Sequence, residues 1–126
     1  MSSIVCDIHN TLIDDDGIAN YYALGLIKAL KERYAIILWT ARYYEGIQDF
    51  RADNQLLISE FPDPSMIYFN TDPFITDPVQ AKINMLQTMG YYQAGDIEFF
   101  IDNNKHVLKA LTSFDGEYIG RTLRLK

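Results

Sequence analysis

The sequence predicts an α/β fold: a parallel sheet of about five strands with helices on both faces. Three observations carry this. Four short apolar runs without alternation, at residues 4–6, 35–39, 66–69 and 97–101, read as strands covered on both sides. Stretches with apolar residues at helical spacing separate them, as right-handed βαβ units require. Three of the four runs give way at their C-terminal ends to chemically capable side chains, Asp7, Thr40 and Asp102.

The first run turns after Asp7 through Ile8, His9 and Asn10 to Thr11, so a buried strand delivers a carboxylate into a loop. In open α/β sheets, chemistry gathers where strand C-termini meet loops. Residues 12–17 carry Asp14, Asp15 and Asp16 and read as a solvated acidic loop, the alternative being a flap over the site that screens ligands by charge. Over residues 20–34, Ala23, Leu26, Ile27, Leu30 and Tyr34 make an apolar stripe opposite Lys28, Lys31, Glu32 and Arg33, an amphipathic helix on the sheet. The second strand, 35–39, is closed by Thr40, Ala41 and Arg42. One helix is expected over 45–61, with Ile47, Phe50, Leu57 and Phe61 inward and Pro62 and Pro64 ending it.

Residues 66–69 form the third strand. Asp77 as cap, Pro78 at the first helical position and Gln80 as capping-box partner then start a helix. Its buried stripe is expected to be Val79, Ile83, Leu86 and Met89, with Gly90 at its end. The fourth strand, 97–101, runs into Asp102, Asn103 and Asn104, and a short helix through Val107, Leu108 and Leu111 follows. His106 reads as a surface position on that helix. Residues 117–120 are expected to add the fifth strand. No repeat, low-complexity segment or linker interrupts this, so residues 1–126 are expected to be a single domain, a three-layer Rossmann-like arrangement.

Composition narrows the function classes. A chain of 126 residues can bury a core without staples, and 48% hydrophobic with 22% charged residues excludes a disordered one. No apolar run approaches the roughly 18 residues of a membrane span. The start Met1-Ser2-Ser3 lacks the basic and apolar regions of a secretory signal, and the one cysteine, Cys6, fits a reducing compartment. A cytoplasmic protein with a buried structural thiol is expected. A net charge of −6 weakens non-specific attraction to nucleic acid, which runs on neutralising phosphates. Only Arg42 with Arg51, and the tail Arg121, Arg124 and Lys126, offer local positive charge.

Lys82 lies one turn into the helix that Asp77 begins, and helical side chains lean toward their N-terminus, so it reaches back to the strand ends. Two carboxylates, a hydroxyl and an ammonium are thus expected at one edge of the sheet: Asp7, Asp102, Thr40 and Lys82.

This ordered set resembles the haloacid dehalogenase-like (HAD) phosphatase superfamily. Its four motifs are an apolar strand with Asp-x-Asp-x-Thr/Val, a strand ending in Thr or Ser, a Lys early in a helix, and a strand ending in an acidic pair. Here they correspond to residues 7–11, Thr40, Lys82 and Asp102-Asn103, and they span residues 4 to about 108. The resemblance implies that Asp7 attacks phosphorus to form an aspartyl-phosphate. It implies Mg²⁺ held by the Asp7 carboxylate, the His9 backbone carbonyl and Asp102, with Asn103 acting through water. Thr40 and Lys82 would hold the phosphoryl oxygens, joined by Asn10, Ala41 and Arg42.

Two positions depart from the pattern. His9 replaces the carboxylate that protonates the leaving oxygen and then activates water, and Asn103 replaces the second acidic residue. An imidazole can do acid–base work. His9 is therefore a working substitute, a sign of slow turnover, or the mark of a non-catalytic relative.

The segments 12–34 and 43–76 are too short for a cap domain. A capless, open site suits a macromolecular phosphate or a cover lent by another protomer. Within the capless group, Thr40-Ala41-Arg42 with Arg51, and Asp102-Asn103 with Lys105, are similar to the 3′-phosphatase domain of polynucleotide kinases. The expected function is Mg²⁺-dependent hydrolysis of a phosphomonoester, on a nucleotide or a nucleic-acid end, with no membrane partner. The alternative is a pseudophosphatase that binds phosphate or nucleotide in a regulatory role. Carbon–halogen hydrolysis has little use for Asp102, and a response-regulator receiver would carry its acidic pair ahead of the phosphorylated Asp.

Overall fold

The computed structural model describes residues 2–64, 66–89, 97–112 and 121–124. The first apolar run is β1 (Ser3–Asp7), buried along its whole length. After it come α1 (Tyr21–Leu30), β2 (Ala35–Tyr43), α2 (Ile47–Asp53), α3 (Gln55–Glu60), β3 (Met66–Asn70) and α4 (Pro78–Met89). The chain continues through β4 (Ile97–Asp102), α5 (Lys105–Thr112) and β5 (Arg121–Arg124). All pairings are parallel and the strand order is β3-β2-β1-β4-β5. The sheet grows to one side of β1 first and then to the other. The crevice above β1 and β4 is therefore the topological switch point, where ligands bind in open α/β sheets.

Alternation along the strands divides the core into two layers. Ile4, Cys6, Ile36, Leu38 and Ile101 face α1, α2 and α3, where Leu24, Ile27, Phe50, Leu57 and Phe61 meet them. Val5, Ile37, Trp39 and Phe100 face α4 and α5, packing on Met85, Leu86, Val107 and Leu111. Cys6 is buried, as expected. Among the described residues no helix is long and apolar enough to cross a membrane.

Several elements differ from the sequence reading. In α1, Leu24 is buried and Leu26 is on the exposed side, so the stripe is rotated toward Ala23, Leu24 and Ile27. β2 runs on to Tyr43, with its pairing to β3 shifted between Thr40 and Tyr43. The helix expected over 45–61 is two helices broken at Asn54, which has φ −120° and ψ 38°. Asp77 does cap α4, accepting the Val79 N–H at 3.1 Å, but Gln80 donates to Asn84 Oδ1 rather than closing a capping box. The buried face of α4 is Ala81, Lys82, Met85 and Leu86, with Ile83 half-buried. The fifth strand is at Arg121–Arg124. Gly90, residues 117–120 and Lys126 lie outside the described residues.

Candidate functional site

Register assembles the site before any side chain is considered. Asp7 pairs with Trp39, and Cys6 pairs with Ile101, so Asp7 and Asp102 end adjacent strands at the same level. Thr40 stands one residue beyond the Asp7 level on β2. α4 crosses the face that carries Trp39, and Lys82 is on its inward stripe. A cavity of about 250 Å³ opens there, and Asp7, His9, Asn10, Thr40, Ala41, Arg42, Lys82, Asp102 and Asn103 all line it. The structure thus brings these nine residues to one place.

At its floor is a buried ionic triad. Lys82 Nζ donates to Asp7 Oδ1 and to Asp102 Oδ2, both at 2.6 Å. Asp7 Oδ2 accepts the Thr11 hydroxyl at 2.8 Å, and Asp102 Oδ1 accepts the Asn104 N–H at 2.9 Å. Lys82 also stands 5.5 Å above the Trp39 ring. Burial would lower its pKa, but the two carboxylates outweigh this and hold it above the usual lysine value. Burial pushes Asp7 up to about 6, with Lys82 opposing.

On the other side of the cavity, His9 is held at both ring nitrogens. Nδ1 lies 2.6 Å from Thr40 Oγ1, and Nε2 lies 3.1 Å from Asn54 Oδ1. Burial, reinforced by the Arg42 charge, pushes its pKa down to about 4. The imidazole is therefore neutral at neutral pH and fully engaged with protein groups, leaving no ring proton directed at a leaving group. Thr40, expected to reach phosphate, is turned to His9, and its oxygen also accepts the Arg42 N–H at 3.1 Å. The pairing of β2 with β3 is irregular just beyond Thr40.

Asn10 lines the cavity, but its backbone N–H closes the turn on the Ile13 carbonyl at 2.6 Å, and its φ of 66° is left-handed. The N–H groups of Ile8, Thr11 and Leu12 are likewise bonded inside the fold. Arg42 spans the mouth between Asp53 at 3.3 Å and Asp15 at 3.4 Å. The acidic loop is thus more than a solvated run: Asp14 ties its turn and Asp15 reaches the cavity. Arg51 does not join the site; it lines a separate groove with Ile47, Ile58 and Pro62. His106 is exposed on α5, as read from the sequence.

Sequence reasoning missed Asn54, Tyr44 and Asp53. Asn54 is 2% exposed and donates to the Phe50 carbonyl at 2.9 Å and the Tyr44 hydroxyl at 3.0 Å. Tyr44 donates to Asp53. The available signal was the polar middle of the expected helix.

The oxygen donors present are two adjacent carboxylates and the Asn103 amide. Among the described residues no three His, Cys, Asp or Glu side chains converge on a metal position. Such a set fits a hard cation that keeps waters and takes substrate oxygens, and does not fit a zinc-type cage. The His9 ring, engaged elsewhere, is not part of it.

No protein-family model and no curated protein matches the sequence. Solved structures do. The fold is similar to a chain of the Pnkp1/Rnl/Hen1 complex, with TM-score 0.78 and 14% identity over 98% of this chain and 45% of that one. It is also similar to a chain of the Pnkp1/Rnl/Hen1 RNA repair complex, with TM-score 0.70 and 16% identity over 98% of this chain and 42% of that one. The protein spans less than half the length of the chains it matches. At these identities the likeness is one of fold.

Proposed function

We propose that the cavity is a phosphomonoesterase site in which Asp7 is the nucleophile and the substrate is the phosphorylated end of a nucleotide or polynucleotide. The observation that carries this is the Asp7–Lys82–Asp102 triad, buried at the switch point of the sheet and open to a cavity bordered by Arg42. Burying three charges is expensive and a poor device for stability alone. A carboxylate kept anionic at neutral pH beside a permanent cation is, in contrast, what attack on phosphorus needs.

Asp7 attacks phosphorus as the ester P–O bond breaks, the leaving oxygen takes a proton from water, and a second water then cleaves the aspartyl-phosphate, releasing phosphate and restoring the Asp7 carboxylate. Lys82 neutralises charge on the transferring oxygens, and Arg42, held only by exposed pairs, can turn to the substrate. Asp7, the His9 carbonyl, Asp102 and Asn103 would hold Mg²⁺, which supplies charge neutralisation between carboxylate and phosphate when bound. The likeness to chains of an RNA repair complex, and a mouth that no cap among the described residues covers, support a nucleic-acid end as substrate, with a cover lent by another protomer or chain.

One observation favours a second reading. His9 sits where the resembled superfamily keeps its acid/base, and both of its ring nitrogens are occupied. A site without a poised acid binds phosphate but turns over alkyl esters slowly, as a regulatory pseudophosphatase would.

The test is Mg²⁺-dependent phosphate release by wild type and Asp7→Asn, on an aryl phosphate, nucleoside 3′- and 5′-monophosphates and a 3′-phosphorylated oligonucleotide. Release from all, lost in Asp7→Asn, supports the phosphatase. Release from the aryl ester alone means that the nucleophile works without an acid. No Asp7-dependent release leaves the binding protein.

A further inference from the structure

We propose that Asn54 is a positioning residue: it holds His9 as the Nε2–H tautomer and, through His9, turns the Thr40 hydroxyl proton away from the cavity. The group that decides this has no alternative role. The Phe50 carbonyl only accepts, and Asn54 Nδ2 lies 2.9 Å from it. The amide is therefore oriented with its NH₂ toward α2, where its other hydrogen meets the Tyr44 oxygen at 3.0 Å. That leaves Oδ1 facing His9 Nε2 at 3.1 Å.

An amide oxygen cannot donate, so Nε2 must carry the hydrogen. A neutral ring then has a bare Nδ1, and its 2.6 Å contact with Thr40 Oγ1 requires the hydroxyl to donate. Thr40 Oγ1 in turn accepts the Arg42 N–H. Tyr44, having accepted from Asn54, gives its own proton to the Asp53 carboxylate. Each bond in the chain Asp53–Tyr44–Asn54–His9–Thr40 thus has one direction, set by a backbone carbonyl.

The amide sits at the break between α2 and α3, where the Phe50 carbonyl takes both the Asn54 N–H, at 3.0 Å, and the side chain. A buried amide with its three side-chain bonds made is rigid, and it passes that rigidity to the imidazole.

The consequence for ligands rests on the phosphate reading above. Thr40 presents a lone pair, not a proton, to the cavity, so it favours a water or a protonated phosphoryl oxygen over a bare oxyanion. The tautomer itself does not depend on that reading.

The test is long-range ¹H–¹⁵N correlation NMR of the full chain at pH 7.5, above the ordinary imidazole pKa of 6.5. His106→Gln assigns the signals, since the chain has 2 histidines. Wild type is expected to show Nε2 protonated and Nδ1 bare. Thr40→Val is expected to keep that pattern, because the acceptor on Nε2 remains. Asn54→Leu removes that acceptor, and the proton is expected to move to Nδ1 and donate to Thr40. A wild-type ring protonated at Nδ1, a tautomer change in Thr40→Val, or an unchanged ring in folded Asn54→Leu would each overturn the proposal. Should Asn54→Leu fail to fold, the wild-type and Thr40→Val spectra decide. No substrate or turnover enters the readout, so its failure is distinct from failure of the phosphatase reading.

Discussion

Lys82 Nζ lies 2.6 Å from Asp7 Oδ1, and the two side chains are only 3% and 6% exposed. Removing one member of such a pair leaves an uncompensated buried charge, at a cost of about 3–5 kcal/mol. Lys82→Met is expected to lose that much stability in urea unfolding at pH 7.5, and to regain part of it as the pH falls, because without Lys82 to oppose burial Asp7 takes up a proton more readily than in the wild type. A loss under about 1 kcal/mol, well below that range, would mean that the triad is not held as described.

Asp7 and His9 are expected to impose opposite pH dependences on stability in the absence of divalent cation. Asp7 is raised from 3.8 to about 6 on folding, so its contribution is full below about pH 4 and is lost as the pH rises through 6. His9 is lowered from 6.5 to about 4, so its contribution is full above pH 6.5 and is lost as the pH falls through 4. The two oppose each other across the same window. Asp7→Asn should therefore gain stability from pH 4 to 6.5 more steeply than wild type, and His9→Asn should lose it. Urea midpoints measured in chelator at pH 4.5, 5.5 and 6.5 check the signs; parallel profiles for all three proteins would contradict them.

Mg²⁺ at about a hundred times its dissociation constant is expected to raise the unfolding free energy by about 2.7 kcal/mol. Asp102→Asn should abolish this gain. His9→Asn should keep it, because a backbone carbonyl ligand is indifferent to the side chain. Thermal melts with and without the ion decide, and a gain that survives Asp102→Asn would place the ion elsewhere.

Asp15 holds Arg42 through an exposed pair at 3.4 Å, worth at most about 1 kcal/mol. Asp15→Asn is expected to leave stability nearly unchanged while tightening inorganic phosphate binding a few-fold, by freeing Arg42 and removing a like charge from the mouth. Trp39, the only tryptophan, lies beneath Lys82 and reports such binding through its emission. Weaker binding in Asp15→Asn would mean that Asp15 positions Arg42 for the ligand instead.

The strands, and the convergence of Asp7, Thr40, Lys82 and Asp102 at one edge, were legible in the sequence because both follow from local patterns. An apolar run of three to five residues bounded by turn or polar residues reads as a strand, and the residue that ends it is carried to the sheet's rim. The cap at Asp77 is equally local. Lys82 was placed correctly but for an incomplete reason, since a lysine does not register in an apolar stripe; only two carboxylates 20 and 75 positions away make its inward position stable.

What tertiary structure decided was everything that depends on partners distant in the chain. The break at Asn54 leaves only a faint trace in the sequence, the polar middle of residues 51–55; it forms around an amide bonded to His9, 45 positions earlier. Arg42 and Arg51 look equivalent as sequence, yet the shifted pairing of β2 turns one into the cavity while α2 carries the other to a different groove. The sequence named the residues that bear charge and protons. Their charge states, and the directions in which their protons point, were set by burial and hydrogen-bond partners, which exist only once the chain has folded.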